Sequence, residues 1–397
     1  MRVLHVLPSI APSYGGPSAA LIGLSQALSV RNVYSETVTT DLGYEATPDL
    51  VYGRLVEFKG INVRYFPRRL SSFFPRDFAL APRLSKWLKN HIRDYDIVNV
   101  HGLFSYPNTA AARIAFSAGV PYVIRPCGML DPWSMNQSAG KKKAYLRIFD
   151  QKLLRQAAAI SFTTEEEARM AYMAGDRSNG VVIPLGVNLA EHVLLEPADF
   201  PFTTDKKIIL FLSRLDPKKG LDLLLPSLAR LMEVRDDFIC LIAGSGDADY
   251  ETLIRTKVES HRLGEIVRFT SFVDGNLKNQ LFRRACCFVL PSYQENFGVS
   301  VVEAMAAGCP VIVSDQVNIH QQVSKSQAGR VVRCDVDALF QALNELLSNR
   351  ELCQRMGLNG QKLVREKYNW DHISKKVISL YQHCIDKNRP NVIRQLG

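Results

Sequence analysis

Glu295-Asn296-Phe297-Gly298-Val299-Ser300-Val301-Val302-Glu303 is the stretch on which the reading of this chain turns. It follows an apolar run, Ala285 to Pro291, that reads as a buried parallel strand, and it leads into Ala304-Met305-Ala306-Ala307-Gly308, which reads as helix. A strand ends, a loop carries one glutamate, and a helix carries a second glutamate eight residues on. Free N–H groups and the positive end of the dipole converge at a helix start and favour anions there, which is where Asn296-Phe297-Gly298 falls. A carboxylate two turns into the helix is about 12 Å from its start at roughly 1.5 Å per residue. That suits a ligand with a phosphate at the helix start and a ribose further along.

Working outward, the same strand-then-helix grammar recurs in two halves. Residues 3–7 form a short apolar strand, a loop with Gly15-Gly16 follows, and Pro17 opens a helix to residue 29, since proline fits the first helical turn. Further strands are expected at 96–101 and 121–124, with helices over 83–93, 109–118, 142–156 and 165–174. The pattern restarts at 207–212, followed by a helix over 220–234, and strands continue at 238–243, 267–269, 287–290 and 311–313. Strands alternating with helices imply parallel sheets covered on both faces. The aperiodic segment around 185–205, with Pro197 and Pro201, divides the chain. The expected organisation is an N-terminal domain over 1–185, a second over 186–372, and a C-terminal helix over 373–397 that returns to the first.

Length and composition agree with two globular domains: 397 residues are many for one core. No run of eighteen apolar residues suggests a membrane span, and the start of the chain is too short and strand-like for a signal peptide. Eight cysteines without a C-x-x-C pair point to buried or inert thiols in a reducing cytosol, with neither a disulfide framework nor a zinc site. Charge is uneven. Residues 1–190 carry 22 Lys/Arg and 14 Asp/Glu, net +8, against 27 and 25, net +2, in the rest. Arg64, Arg68, Arg69, Arg76, Arg83, Lys86 and Lys89 form one basic cluster, and Lys141, Lys142, Lys143, Arg147 and Lys152 another. A solvated basic face and attraction to anionic lipid, or to an anionic lipid-linked acceptor, both fit. Nucleic acid is disfavoured, because no binding motif accompanies the charge.

Ligands of such sheets bind beyond the carboxyl ends of the strands, and every candidate residue lies there. Gly15 and Gly16 let backbone amides approach a phosphate, although a tight turn explains them equally well. His101 ends a strand. Arg214 and Lys219 sit five residues apart in the strand-to-helix turn 213–220, where two cations can clamp a diphosphate. Gly244-Ser245-Gly246 is a weaker glycine pair.

Together these residues resemble retaining glycosyltransferase family 4, through the E-x7-E arrangement of Glu295 and Glu303 around Phe297-Gly298, the Arg214/Lys219 loop, the Gly15-Gly16 loop and the strand ending in His101, in that family's order. The resemblance spans residues 3 to about 370. It implies the GT-B fold, two Rossmann-like domains facing across a cleft, and transfer of a sugar from a nucleotide diphosphate donor with retained anomeric configuration. By that resemblance Glu303 takes the ribose hydroxyls. Glu295, with Asn296 and the backbone N–H groups of Phe297, Gly298 and Val299, holds the donor hexose and phosphate. Arg214 and Lys219 neutralise the leaving diphosphate, Gly15 and Gly16 present amides to it, and His101 contacts the donor sugar near its 6-position. Ser245, Phe272 and Val273 fall near the base, and Gly128, Asp131 and Trp133 on the acceptor side.

Three D-x-D triplets, Asp94/Asp96, Asp247/Asp249 and Asp335/Asp337, raise the question of a metal on the diphosphate. Asp335 reads better as a helix cap, the first triplet precedes a strand, and Arg214 with Lys219 already provides countercharge. Metal independence is expected, and no cofactor beyond the sugar nucleotide. The expected donor is UDP-glucose, with GDP-mannose as the alternative. The expected acceptor is a saccharide or lipid-linked oligosaccharide in surface polysaccharide synthesis. The enzyme is expected in the cytoplasm, peripheral at the inner face of an anionic membrane. A glycosidase is disfavoured, since its carboxyl pair sits within about 9.5 Å. A UDP-sugar epimerase or a non-catalytic partner subunit would share the fold. A dehydrogenase is disfavoured because the first loop lacks G-x-G-x-x-G.

Overall fold

A computed structural model describes residues 1–44, 50–69, 74–136, 139–173, 179–188, 204–273 and 275–388. The chain divides into two compact units, Met1–Gly186 together with the C-terminal segment from Trp370, and Val187–Asn369.

The first unit holds an eight-stranded sheet: β1 (Arg2–Val6), β2 (Tyr34–Thr40), β3 (Leu55–Phe58), β4 (Ile61–Phe66), β5 (Ile97–His101), β6 (Tyr122–Arg125), β7 (Ala159–Phe162) and β8 (Gly180–Val182). The order is β3-β4-β2-β1-β5-β6-β7-β8, and all pairs are parallel except β3 with β4. The second unit holds six parallel strands: β9 (Lys207–Leu212), β10 (Phe238–Ala243), β11 (Val267–Thr270), β12 (Cys287–Leu290), β13 (Val311–Ser314) and β14 (Gly329–Val332), in the order β11-β10-β9-β12-β13-β14. The central strands β9, β10, β12 and β13 are buried on both faces along most of their length, so they read as nearly continuous apolar runs, whereas the edge strands β11 and β14 are only partly covered. Phe238 to Ala243 and Cys287 to Leu290 are buried at every position.

In each sheet the order reverses beside the first strand, between β1 and β5 and between β9 and β12. A crevice opens at the carboxyl end of such a reversal, because the connections on either side lead away to opposite faces.

The last helix, Trp370–Asn388, packs on the first unit. Trp370, Ile373, Val377, Leu380, Tyr381 and Cys384 are buried with Val3, Leu24, Leu28, Ile97 and Val123. The Trp370 ring lies on two glycines: a Cβ added at Gly23 or Gly186 would fall 2.4 Å from it. Asn99 donates to the Tyr381 hydroxyl, and Arg31 binds Asp371 and donates to Ser374.

Candidate active site

Four adjacent strands of the second sheet carry the candidate residues on their carboxyl-end loops. In spatial order these are 271–273 after β11, 244–247 after β10, 213–220 after β9 and 291–298 after β12. The loops are tied to one another by main chain. Leu215 N–H donates to Ser245 O (2.9 Å), and Tyr293 N–H to Lys218 O (2.8 Å). The approach is so close that a Cβ at Gly244 would sit 2.0 Å from Ser213 O, one at Gly246 2.0 Å from Leu215 O, and one at Gly220 2.1 Å from Pro291 O. The glycine pair around Ser245 therefore serves loop-to-loop packing. Gly220 and Gly298 also adopt positive φ, at 76° each, where a side chain is strained.

At the reversal between β9 and β12, Lys219 and Glu295 form an ion pair. Lys219 is buried and Glu295 mostly so. Glu295 lies outside the helix, in a short parallel bridge with Val317. Its N–H donates to Gln316 O (3.1 Å), and its carbonyl accepts from Asn318 N–H (2.9 Å). Burial pushes its carboxyl up, but Lys219, then Lys218 and Arg214, outweigh that and hold it below the ordinary carboxylate value. Lys218 is lowered, first by burial and then by repulsion from Lys219. Arg214 stays half exposed, 3.8 Å from Asp216. One loop thus gathers three cations, Arg214, Lys218 and Lys219, around Glu295, with its own Asp216 beside Arg214.

The helix Val299–Ala306 starts at Gly298, and the first amides of a helix have no partner within it. Phe297 is an anchor: its ring is buried edge-on against Tyr368, centroids 5.6 Å apart. Glu303, on the same helix, pairs with Lys278 of the helix Gly275–Arg284 at 2.7 Å, both side chains about a quarter exposed. Phe272 is half exposed and Val273 buried.

In the first unit His101 closes β5 at the other reversal. It is buried, and its Nε2 lies 3.1 Å from Nδ1 of His5 on β1. Burial first, and then the neighbouring Arg125 charge, push His5 down to about 3; burial, His5 and Arg125 push His101 well below its ordinary value. The pair is neutral at physiological pH, so one ring donates and the other accepts. Arg125, buried at the end of β6, donates to Ile183 O (3.2 Å). The loop after β1 ends at Gly15, with φ 79° and open space where a Cβ would stand, and Gly16 begins the helix Gly16–Val30.

Of the residues expected on the acceptor side, Gly128 donates its N–H to the buried Glu167 carboxylate (2.6 Å), which also accepts from Thr163 N–H and Oγ1. Asp131 is buried, and its carbonyl accepts from Met135 N–H at the start of the helix Pro132–Asn136. Trp133 is exposed. The D-x-D triplets have structural partners. Asp335 accepts from Ala338 N–H, Asp337 pairs with Arg230, Asp247 accepts from Asp249 N–H, and Asp96 accepts from Arg2 N–H. Among the described residues no group of three His, Cys, Asp or Glu side chains converges on a metal position.

His5, Arg125, Lys278 and Glu167 contact the candidate residues without forming part of any sequence motif. His5 interrupts an aliphatic strand, a visible anomaly, but its partner lies 96 residues away and only sheet order brings them together.

Comparison with known proteins places this geometry. The glycosyl transferases group 1 profile matches residues 195–363, and the glycosyl transferase 4-like domain profile matches residues 15–186. The phosphatidyl-myo-inositol mannosyltransferase of Mycobacterium leprae is 32% identical over 308 residues, 77% of each chain. The chain belongs to the family 4-type, group 1 glycosyltransferases. Its fold is GT-B. Sucrose-phosphate synthase from Thermosynechococcus elongatus superposes with TM-score 0.80 at 20% identity, covering 98% of this chain and 100% of that one. HepE of Anabaena, in complex with UDP-glucose, superposes with TM-score 0.75 at 18% identity, over 96% and 99%. Among the described residues of this glycosyltransferase no helix is long and apolar enough to cross a membrane.

Proposed function

We propose that this glycosyltransferase moves a hexose with retained configuration from a nucleotide diphosphate donor, UDP-glucose first, to a saccharide or lipid-linked oligosaccharide acceptor in polysaccharide synthesis, and that it needs no metal. The observation that carries the reading is the Lys219–Glu295 pair at the β9/β12 reversal, flanked by Arg214 and by the amides that open the helix Val299–Ala306. In the proposed step an acceptor hydroxyl oxygen bonds to the anomeric carbon as the bond to phosphate breaks, and the hydroxyl proton passes to the departing phosphate. Charge building on that diphosphate is met by Arg214, Lys219 and the helix amides, in a site arranged before reaction. Glu295 then orients both Lys219 and the hexose, Glu303 takes the ribose, and His101 lines the sugar. Those cations supply the countercharge that a metal gives elsewhere.

The GT-B neighbour that binds UDP-glucose supports the glucosyl donor. A second reading, transfer of mannose from GDP-mannose, is favoured by the mannosyltransferase relative at 32% identity. Contact with an anionic membrane is supported by exposed Lys141, Lys143, Arg147 and Lys152 interleaved with exposed Ile148 and Phe149, next to exposed Trp133. Lys142 is set apart from that face, its Nζ donating to Ser134 O (2.6 Å), while Arg64 and Arg68 pair with Glu36 and Asp41.

Calorimetric titration with UDP, GDP and ADP, with and without EDTA, tests the reading. UDP binding that survives EDTA supports it. Preference for GDP moves the donor to GDP-mannose, and loss with EDTA refutes metal independence. Silence toward all three nucleotides would overturn the nucleotide-sugar reading.

A further inference from the structure

A second cluster of reactive side chains lies at the opposite, amino-end edge of the second sheet. Cys286 immediately precedes β12, its N–H donating to Ile208 O at 2.8 Å. Cys353 lies in the first turn of the helix Arg350–Lys367. The two thiols converge on one acceptor: both lie within sulfur hydrogen-bond distance of Leu346 O, at 3.9 and 3.1 Å. Cys286 is partly exposed and Cys353 is buried. Next to the Leu346 carbonyl, Leu347 O accepts from Lys207 Nζ at 2.7 Å and from Arg235 at 3.4 Å, and both cations also pair with Asp237.

We infer that Cys286 and Cys353 are a peroxide-oxidisable pair, with Cys286 the attacking thiolate and Cys353 the resolving thiol. The inference is independent of the donor and acceptor assigned above.

An accessible thiolate beside cations with a second thiol in reach is the arrangement that oxidises reversibly. The Cys286 thiolate attacks one oxygen of the peroxide. An S–O bond forms, the O–O bond breaks, the sulfur loses two electrons to the peroxide, and hydroxide leaves. The Cys353 sulfur then attacks the Cys286 sulfur. An S–S bond forms, the S–O bond breaks, and the departing hydroxide leaves as water with the Cys353 proton.

The other partly exposed thiols are internal controls. The hydrogen bond from Cys353 leads the effects that bring Cys286 down to about 7, with Lys207 and Arg235 adding to it against burial and Asp237. Burial pushes Cys127 up to about 12 and Cys334 above its ordinary value. At pH 7 a thiol with a pKa near 7 is about half ionised and one near 9 about 1%. Allowing for the lower nucleophilicity of the more acidic thiolate, alkylation should favour Cys286 by at least about fivefold over either control, since both lie above 9.

The test is timed iodoacetamide labelling of the intact protein at pH 7, read by peptide mass, and, on separate unlabelled protein, hydrogen peroxide treatment with non-reducing peptide mapping. The expected results are Cys286 labelled ahead of Cys127 and Cys334, and a Cys286–Cys353 linked peptide that dithiothreitol reverses. The Cys353→Ser variant should stop at a dimedone-reactive sulfenic acid on Cys286. Equal labelling of the three thiols would overturn the inference, as would peroxide treatment that links Cys286 to another cysteine or leaves it reduced.

Discussion

Lys219 is the residue that most of the proposed chemistry passes through, and its substitution separates charge from fold. Lys219→Ala should lower transfer by about 10²–10³-fold, the range seen when one preorganised charge-stabilising group is removed, while circular dichroism and cooperative unfolding persist. Near-normal turnover would refute the diphosphate clamp. The same pair has a pH signature. The folded Glu295 carboxyl sits below its ordinary value of 4.5, so its ionisation stabilises the fold above that pH, and the contribution is lost as pH falls through the folded value. The stability difference between wild type and Lys219→Ala, measured by urea unfolding, should therefore shrink as the solution is acidified below 4.5. Asp150 runs the other way. Burial holds its carboxyl up at about 6, despite hydrogen bonds from Thr109 Oγ1 and Phe104 N–H. Its protonated form favours folding, and that contribution declines as pH rises through 6. Asp150→Asn should gain stability relative to wild type at pH 8 compared with pH 4; an unchanged difference would contradict the raised carboxyl.

At the scale of elements, the loops after β9 and β10 are locked by absent side chains, which makes their glycines a sharp test. Gly244→Ala, with φ 138° and a Cβ 2.0 Å from Ser213 O, should cost about 2 kcal/mol or more of stability. Gly264→Ala, with nothing within 4 Å, should change it by less than about 0.5 kcal/mol. Thermal unfolding of the two variants decides it; similar melting temperatures would show that the loops do not depend on this contact.

The strands that the sequence made legible are the aliphatic ones. β9, β10 and β12 are apolar throughout because both faces are covered. β2 was not legible: Tyr34-Ser35-Glu36-Thr37-Val38-Thr39-Thr40 looks polar, yet all but Tyr34 are buried, with Glu36 satisfied by Arg64 and Tyr95. The helix expected over 142–156 is present as one unbroken helical run, Ala139–Tyr145, Leu146–Asp150 and Gln151–Gln156, but its middle is a π-helical turn that the sequence did not announce and that carries the buried Asp150. Of the candidate site, the loop positions could be read from the strand ends. The Lys219–Glu295, Lys278–Glu303 and His5–His101 pairs could not, because they join loops and strands far apart in sequence.

For the whole molecule, the C-terminal helix is part of the first unit's core. Truncation before Trp370 would expose Val3, Leu24, Leu28, Ile97 and Val123 together. The expected outcome is loss of cooperative unfolding of the first unit, read by hydrogen exchange at β1 and β5, with exchange in β9 and β12 unaltered. Restoration by a peptide covering Trp370–Asn388 added in trans would show that the helix acts through packing alone. Unchanged protection in β1 without the helix would show that it is dispensable.

The way Trp370 seats on Gly23 and Gly186 also sets an order of events on the ribosome. The half of the protein made first is finished last. Its core waits while the roughly 180 residues of the other unit are synthesised, about 10–35 s at 5–20 residues per second, and then for the final helix to clear the exit tunnel. Over that interval the β1–β5 face that the helix covers is the surface a nascent-chain chaperone would meet, and a chain stalled near its end would carry a complete second unit behind an unfinished first.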